Sequence, residues 1–125
     1  MRILCICNHG NVRSSCMVRE LKDLGHESIA IGISHNPLNS ESNLFSEETV
    51  DYFIEWADLV FDFSDINSIT MNDDPGICDR LKNKSKEIKR YYVGGDRWGN
   101  PFHPELRSIM QSIIKKENIS RCENE

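Results

Sequence analysis

The sequence predicts a single-domain α/β protein with an open, mostly parallel four-stranded sheet and helices on both faces. Three observations predict it. The length of 125 residues is typical of one domain. The chain opens on a short, continuous apolar run of the kind that buried parallel strands show. Strand-like and helix-like segments then alternate along the chain. We expect one folded domain over residues 1–118 and a polar tail over residues 119–125.

The first half of the chain supplies two strands and two helices. Ile3–Ile6 is apolar throughout and predicts a buried central strand. A helical stripe predicts a helix over Ser14–Leu24, and Gly25 stands where a C-cap glycine belongs. Ser28–Ile33 alternates and predicts a second strand. Ser46 can cap a second helix. The apolar stripe of that helix consists of Val50, Phe53, Ile54 and Ala57.

The second half supplies two further strands and a closing helix. Leu59–Phe63 and Glu87–Val93 predict the third and fourth strands, and Ser64–Lys86 between them is mixed, with short helical turns expected. Gly94–Pro101 predicts a loop. The closing helix carries Leu106, Ile109, Met110, Ile113 and Ile114 on one face. In such folds ligands bind beyond the carboxyl ends of the strands, and the first such end is the loop that begins at Cys7.

Composition and charge exclude several classes of protein. The 15 basic and 20 acidic residues give a net charge of −5, which argues against generic nucleic-acid binding. Apolar residues make up 38% of the chain and charged residues 28%, as in ordinary globular proteins. No apolar run approaches the roughly 20 residues that a membrane span needs. The N-terminus also lacks the pattern of a signal peptide. We expect a cytoplasmic protein that binds no membrane.

The cysteines predict reactive or buried thiols rather than disulfides or a metal site. Their number is odd and no export signal accompanies them, which disfavours a disulfide framework. Cys5 and Cys7 are one residue too close for the usual zinc-binding pair, and no second pair follows. We therefore expect no metal and no cofactor. The five cysteines are Cys5, Cys7, Cys16, Cys78 and Cys122.

Residues 7–14 carry the pattern Cys-x5-Arg-Ser. A bare Cys-x5-Arg arises about 0.3 times by chance in this composition, and requiring the serine lowers that to about 0.03. Five intervening residues can curl so that their backbone N–H groups converge on an anion, helped by the positive end of the following helix. That field also favours a thiolate at Cys7. Arg13 can clamp two phosphate oxygens with its planar fork, and Ser14 can donate to the sulfur.

The other residues of this loop are expected to shape a phosphate cradle. Gly10 permits the backbone angles of a tight turn, and Asn11, with Asn8 or His9, can hydrogen-bond inside the loop. Phosphate, sulfate or vanadate should occupy it. Trp98 is a candidate aromatic wall, together with one of the two adjacent tyrosines in the predicted fourth strand. The predicted substrate-binding residues are Asn8, His9, Gly10, Asn11, Val12, Ser14 and Trp98.

These groups predict nucleophilic phosphoryl transfer. The Cys7 thiolate attacks phosphorus, while Arg13 and the loop amides stabilise the equatorial oxygens. An acid must protonate the leaving oxygen and then activate water. Asp96, just after the fourth strand, is the best placed, and Asp65 and Asp62 at the end of the third strand are the alternatives.

At these residues the sequence resembles the low-molecular-weight protein tyrosine phosphatases and their bacterial and phage relatives. That family also has its Cys-x5-Arg-Ser loop directly after an N-terminal strand. Trp56–Phe61 looks like the family's third strand, and Asp96 lies in the loop where the family keeps its general acid. The resemblance implies flavodoxin-like winding of the sheet. It also implies hydrolysis of phosphotyrosine or of a small aromatic or nucleotide-like phosphate, with a phosphorylated protein or a small phosphate ester as partner.

The sequence departs from the family pattern at three points. The Gly10-Asn11 pair lies one position later than usual. Val12 stands where the family often has a second cysteine, so the disulfide between those two positions cannot form. Asp96 precedes Arg97, where the family's acid precedes proline.

Two other functions remain open on the sequence alone. An arsenate reductase would use the same nucleophile and would need a resolving cysteine, for which Cys78 is the candidate and Cys122 lies far down the tail. Cys16 could resolve an oxidised Cys7, although a core position fits it better. A module that binds phosphate or a phosphoprotein without turnover is the non-enzymatic alternative.

Overall fold

The computed structural model describes residues 1–7, 12–32, 47–63, 87–93 and 98–121, with the backbone alone for residues 47–50. Four parallel strands form one sheet in the order β2-β1-β3-β4, which confirms the predicted α/β class. In chain order the elements are β1 (Arg2–Cys7), α1 (Arg13–Asp23), β2 (Glu27–Gly32), α2 (Glu47–Trp56), β3 (Leu59–Asp62), β4 (Ile88–Arg90) and α3 (Pro104–Lys116).

Helices cover both faces of the sheet because the central strands are apolar on both sides. Along β1 the side chains alternate between two core clusters: Ile3, Cys5 and Cys7 belong to one, and Leu4 and Ile6 to the other. The first cluster, here the α1/α3 face, includes the buried apolar residues of α1 and α3. The second, the α2 face, includes the buried apolar side of α2.

Both α1 and α3 are followed by a residue of positive φ that closes the helix, as the sequence predicted for α1 at Gly25. Gly25 has a φ of 86°, its N–H donates to the carbonyl of Lys22, and the next N–H donates to Leu21. At the end of α3, Asn118 takes the same role with a φ of 57°, and the N–H of Ile119 donates to the carbonyl of Ile114. Ile119 then packs against the core.

A charged contact joins α1 to α3. Glu20 is buried in α1, and its two carboxylate oxygens accept from Arg107 Nε at 2.9 Å and from Gln111 Nε2 at 3.2 Å. The two helices therefore lie side by side on one face of the sheet. Apolar packing against the sheet and the contacts of Glu20 hold them there.

The fourth strand is shorter than the sequence indicated. The expected span was Glu87–Val93, whereas β4 covers Ile88–Arg90. An edge strand pairs only as far as its neighbour extends, and β3 ends at Asp62, opposite Arg90. The predicted turns of Ser64–Lys86 lie outside the described residues. Among the helices that the structure describes, none is long and apolar enough to cross a membrane.

Candidate active site

Cys7 at the end of β1 and Arg13 and Ser14 at the start of α1 flank the loop that leaves the carboxyl end of the sheet. Cys7 is the last residue of the strand, and α1 begins at Arg13. The Cys7 Sγ and Ser14 Oγ atoms lie 3.0 Å apart, and both residues are buried. When the sulfur is ionised, the hydroxyl donates to it. The sequence predicted a contact between the Ser14 hydroxyl and this sulfur, and the catalytic roles of the residues stay a prediction.

The first turn of α1 suits an anion. The residue before the helix is Val12, whose side chain has no oxygen to cap the backbone N–H groups, and the first turn contains no acidic side chain. The positive end of the helix dipole is therefore uncompensated by side chains of the helix itself. Phosphate-sized anions are bound in this way at helix N-termini.

The guanidinium of Arg13 lies in the crevice between β1 and β3. Arg13 is 1% exposed, and its Nη1 donates to the backbone carbonyl of Phe63 at 2.7 Å. Phe63 directly follows β3, and its own N–H donates to Ile6 in β1. The chain leaves β1 towards β2 and leaves β3 towards the opposite edge, so this crevice is the switch point of the sheet. Ligands of doubly wound sheets bind at such a point.

The Phe63 carbonyl could not be found from the sequence, because a backbone acceptor has no residue signature. Its position follows only from the pairing of β3 with β1, which sets the end of β3 beside the end of β1. The carbonyl fixes one side of the Arg13 fork, and charge-assisted hydrogen bonds of this kind orient a guanidinium firmly.

The two other cysteines that the structure describes, Cys5 and Cys16, are buried thiols of the core. Burial raises the pKa of Cys5 to about 12, and burial, with the charge of Glu20, raises the pKa of Cys16 to about 11. Both side chains lie within the core cluster of the α1/α3 face. Neutral buried thiols are poor nucleophiles, so these two behave as core residues at neutral pH.

Brief alkylation at pH 7 should therefore distinguish the three thiols. We expect iodoacetamide to modify Cys7 at the strand end, and to leave Cys5 and Cys16 unmodified in the folded protein. Peptide mass spectrometry with fragmentation assigns the sites, phosphate should slow the reaction of Cys7, and urea-unfolded protein should be modified at all three. Alkylation of Cys5 or Cys16 as fast as Cys7 would contradict this assignment.

Asp62, an alternative for the general acid, lies on the α2 face of the sheet. Phe61 is in the α1/α3 cluster with Cys7, and because side chains alternate along a strand, Asp62 faces the α2 side. Its carboxylate is 4% exposed, and Arg90 Nε lies 3.6 Å from its Oδ2. The geometry thus turns Asp62 towards Arg90 and away from the sulfur.

Trp98 is packed into the protein interior. It is 4% exposed and its indole N–H donates to the carbonyl of Val93 at 2.7 Å. Its ring meets His103 edge-on at 5.0 Å between centroids. His103 caps α3, accepting at Nδ1 from the N–H of Glu105. A contact between Trp98 and substrate stays a prediction.

Several predicted residues lie outside the described part of the chain. They are Asn8, His9, Gly10, Asn11, Asp65, Cys78, Asp96 and Cys122. Of the predicted site residues that the structure describes, Cys7 contacts Ser14, and Arg13 binds the Phe63 carbonyl at the end of the neighbouring strand. Within the described ranges no three side chains of metal-binding type are grouped as ligands.

Two cavities lie at the opposite edge of the sheet. One, of about 470 Å³, opens between the last turns of α1 and α3, and the other, of about 380 Å³, is lined by the residues at which β3 and β4 begin. The segment that follows α3 runs between them, and His26 Nε2 lies 2.7 Å from the Ser120 carbonyl oxygen. Neither cavity contains Cys7 or Arg13.

Comparison with solved structures supports the fold. The YwlE arginine phosphatase from Geobacillus stearothermophilus superposes with a TM-score of 0.57 at 14% identity, covering 94% of this chain and 92% of that one. A YwlE mutant from Bacillus subtilis gives a TM-score of 0.57 at 17% identity, covering 94% and 99%. The chain therefore has the low-molecular-weight phosphatase fold that the sequence resemblance implied. In sequence, no family model and no curated protein matches the chain.

Proposed function

We propose that this protein is a cysteine-dependent phosphatase that works through a thiophosphate intermediate. The observation that carries the proposal is the placement of Cys7 Sγ 3.0 Å from Ser14 Oγ, at the start of a helix whose first residue is the buried Arg13. This set supplies a nucleophile, a hydroxyl to stabilise it as a leaving group, and a positive site for the phosphate oxygens. The similar solved structures, one of them an arginine phosphatase, support the same reaction class.

Substrate binding would use the positive end of α1 and the Arg13 fork. The backbone N–H groups of residues 8–12 are proposed to surround the phosphoryl oxygens, as the Cys-x5-Arg spacing predicts. Arg13 already has one guanidinium nitrogen on the Phe63 carbonyl, which sets the plane of its fork. A positioned donor that need not reorganise during reaction stabilises transition-state charge most effectively.

In the first step the Cys7 thiolate attacks phosphorus in line, and the sulfur–phosphorus bond forms as the bond to the leaving oxygen breaks. Asp96 is proposed to give its proton to that oxygen. In the second step the Asp96 carboxylate takes a proton from water as the water oxygen attacks phosphorus. The sulfur–phosphorus bond then breaks, inorganic phosphate leaves, and the thiolate returns to its contact with Ser14.

The substrate is proposed to be a phosphorylated protein or a small phosphate ester. The sequence resemblance favours phosphotyrosine or a small aromatic phosphate. Similarity to a solved arginine phosphatase adds phosphoarginine to the candidates. The arsenate-reductase alternative depends on Cys78, which lies outside the described residues, and no observation favours it.

We expect Asp96→Asn to slow the reaction most for poor leaving groups. Without an acid, kcat/KM for phenyl phosphate, which reports the steps up to departure of the leaving group, should fall about 100-fold, because phenolate needs a proton as it departs. For p-nitrophenyl phosphate the loss should be smaller, since nitrophenolate leaves readily as an anion. Steady-state kinetics on both substrates measures the difference.

Asp62→Asn is the matched control, because it makes the same chemical change at the end of β3 on the α2 side. We expect it to retain kcat on both substrates and to lose some stability, since Asp62 is buried beside Arg90. An equal loss of kcat/KM for both leaving groups in Asp96→Asn would argue against Asp96 as the acid. A leaving-group effect in Asp62→Asn instead would assign the role to Asp62.

A further inference from the structure

An exposed arginine and an exposed aromatic ring are held together where α1 meets the segment before α3. The guanidinium carbon of Arg19, on α1, lies 4.1 Å from the centre of the Phe102 ring. Phe102 is 55% exposed, which is unusual for so large an apolar side chain, and its N–H donates to Asn100 Oδ1 at 2.8 Å. The ring is thus fixed by its backbone and presented to solvent with a cation on one face.

The guanidinium of Arg19 has a different kind of partner from those of three other described arginines. Arg2, Arg90 and Arg107 each form an ion pair with a carboxylate. Among the residues that the structure describes, Arg19 makes no such pair, and its guanidinium lies on the Phe102 ring instead. A planar guanidinium stacked on a ring keeps its N–H groups at the ring's edge, where they can bind a carboxylate.

The Arg19–Phe102 pair lies on the same side of the molecule as Cys7. In parallel α/β sheets each helix begins at the carboxyl edge of the strands, so α1 and α3 both start near the end of β1. Phe102 precedes the first residue of α3 by two positions. Arg19 is six residues beyond the start of α1, or about 9 Å along its axis, and helical side chains lean back towards the N-terminus. An extended peptide covers that distance in about three residues.

We infer that the Arg19–Phe102 pair is a docking surface for an acidic segment of a phosphorylated polypeptide whose phosphoryl group occupies the Cys7 site. The guanidinium pairs with a carboxylate about three residues from the phosphorylated residue, and the exposed ring packs against the neighbouring side chain or backbone. The inference rests on the proposed phosphatase function and selects a polypeptide substrate over a small ester. Charge complementarity with Arg19 makes the segment acidic.

The test compares phosphorylated peptides that carry either acidic or neutral side chains near the phosphorylated residue. Phosphotyrosyl and phosphoarginyl peptides are made with Glu, or with Gln, three positions to either side of the phosphorylated residue, and p-nitrophenyl phosphate serves as the small substrate. For at least one phosphorylated residue, kcat/KM of the wild type should be about threefold higher for the Glu peptide at low ionic strength. The preference should shrink in about 0.5 M salt.

Two variants remove the pair and a third is the matched control. Arg19→Gln and Phe102→Ala should abolish the preference for Glu while leaving p-nitrophenyl phosphate hydrolysis unchanged. Lys22→Gln removes the same charge from the same helix three residues further on, and should keep the preference. Circular dichroism and thermal melts establish that each variant is folded.

The results separate the docking surface from the proposed function. Hydrolysis of p-nitrophenyl phosphate without any preference for Glu, or with a preference that survives in Arg19→Gln, overturns the docking surface. Hydrolysis of the small ester with no turnover of any peptide overturns it as well, and assigns the site to small esters. A wild-type protein that hydrolyses none of these substrates contradicts the phosphatase itself.

Discussion

Replacing Cys7 with serine should abolish phosphatase turnover while the site still binds oxyanions. We expect kcat for p-nitrophenyl phosphate to fall about 10⁴-fold or more, because a serine hydroxyl is a weak nucleophile at neutral pH. The smaller oxygen should still hydrogen-bond the Ser14 hydroxyl, which lies 3.0 Å from the sulfur in the wild type. Phosphate and vanadate binding, measured by calorimetry, should therefore persist.

The matched control for Cys7→Ser is Cys5→Ala, which removes a thiol two residues earlier on the same face of β1. Cys5 lies inside the core, with Sγ 3.7 Å from Ser28 Oγ, and does not reach the crevice between β1 and β3. We expect kcat to stay within about twofold and the free energy of unfolding to fall by about 1 kcal/mol. Normal turnover in Cys7→Ser would refute the proposed nucleophile.

Replacing Arg13 with lysine should reduce kcat about 10²- to 10³-fold. Lysine keeps the positive charge but cannot hold the Phe63 carbonyl with one nitrogen while presenting others to the phosphoryl oxygens. Stability should fall too, by about 1–3 kcal/mol, because a charge-assisted hydrogen bond at a fully buried position is lost or distorted. Steady-state kinetics and urea unfolding measure the two effects.

Arg90→Lys is the control for this change, since Arg90 is 41% exposed and pairs with Asp62 on the other face of the sheet. We expect its kcat to match the wild type and its stability to change by less than about 1 kcal/mol. A loss of kcat in Arg90→Lys as large as in Arg13→Lys would mean that the loss reflects general damage to the sheet. In that event Arg13 would have no special role at the phosphate.

Much of the fold could be predicted from local sequence patterns, because each pattern reflects a physical requirement such as burial of a strand or a positive φ after a helix. The apolar run around Leu4 indicated a central strand, and that strand is indeed buried on both faces. Gly25 predicted the end of α1 to within a residue, since few other residues tolerate its φ of 86°. The extent of β4 could not be read in this way, because it is set by where its neighbour β3 ends.

In the candidate site, too, contacts between residues close in sequence could be predicted, and contacts set by strand pairing could not. Cys7 and Ser14 are close in sequence, so their spacing was enough to predict their contact. The Phe63 carbonyl and the direction of Asp62 depend on strand pairing between distant parts of the chain, and no local pattern encodes pairing. The burial of Trp98 is a further case: the sequence predicted a loop there, and only the fold shows that its indole is bound inside the core.

The most direct test of the account is to trap the covalent intermediate. Asp96→Asn protein, mixed with p-nitrophenyl phosphate and quenched in acid within milliseconds to seconds, should carry the mass of one phosphoryl group on the peptide that contains Cys7. Fragmentation should place the group on the Cys7 sulfur, and the Cys7→Ser protein should carry none. Turnover of substrate with no phosphoryl group on Cys7 at any quench time would contradict the account.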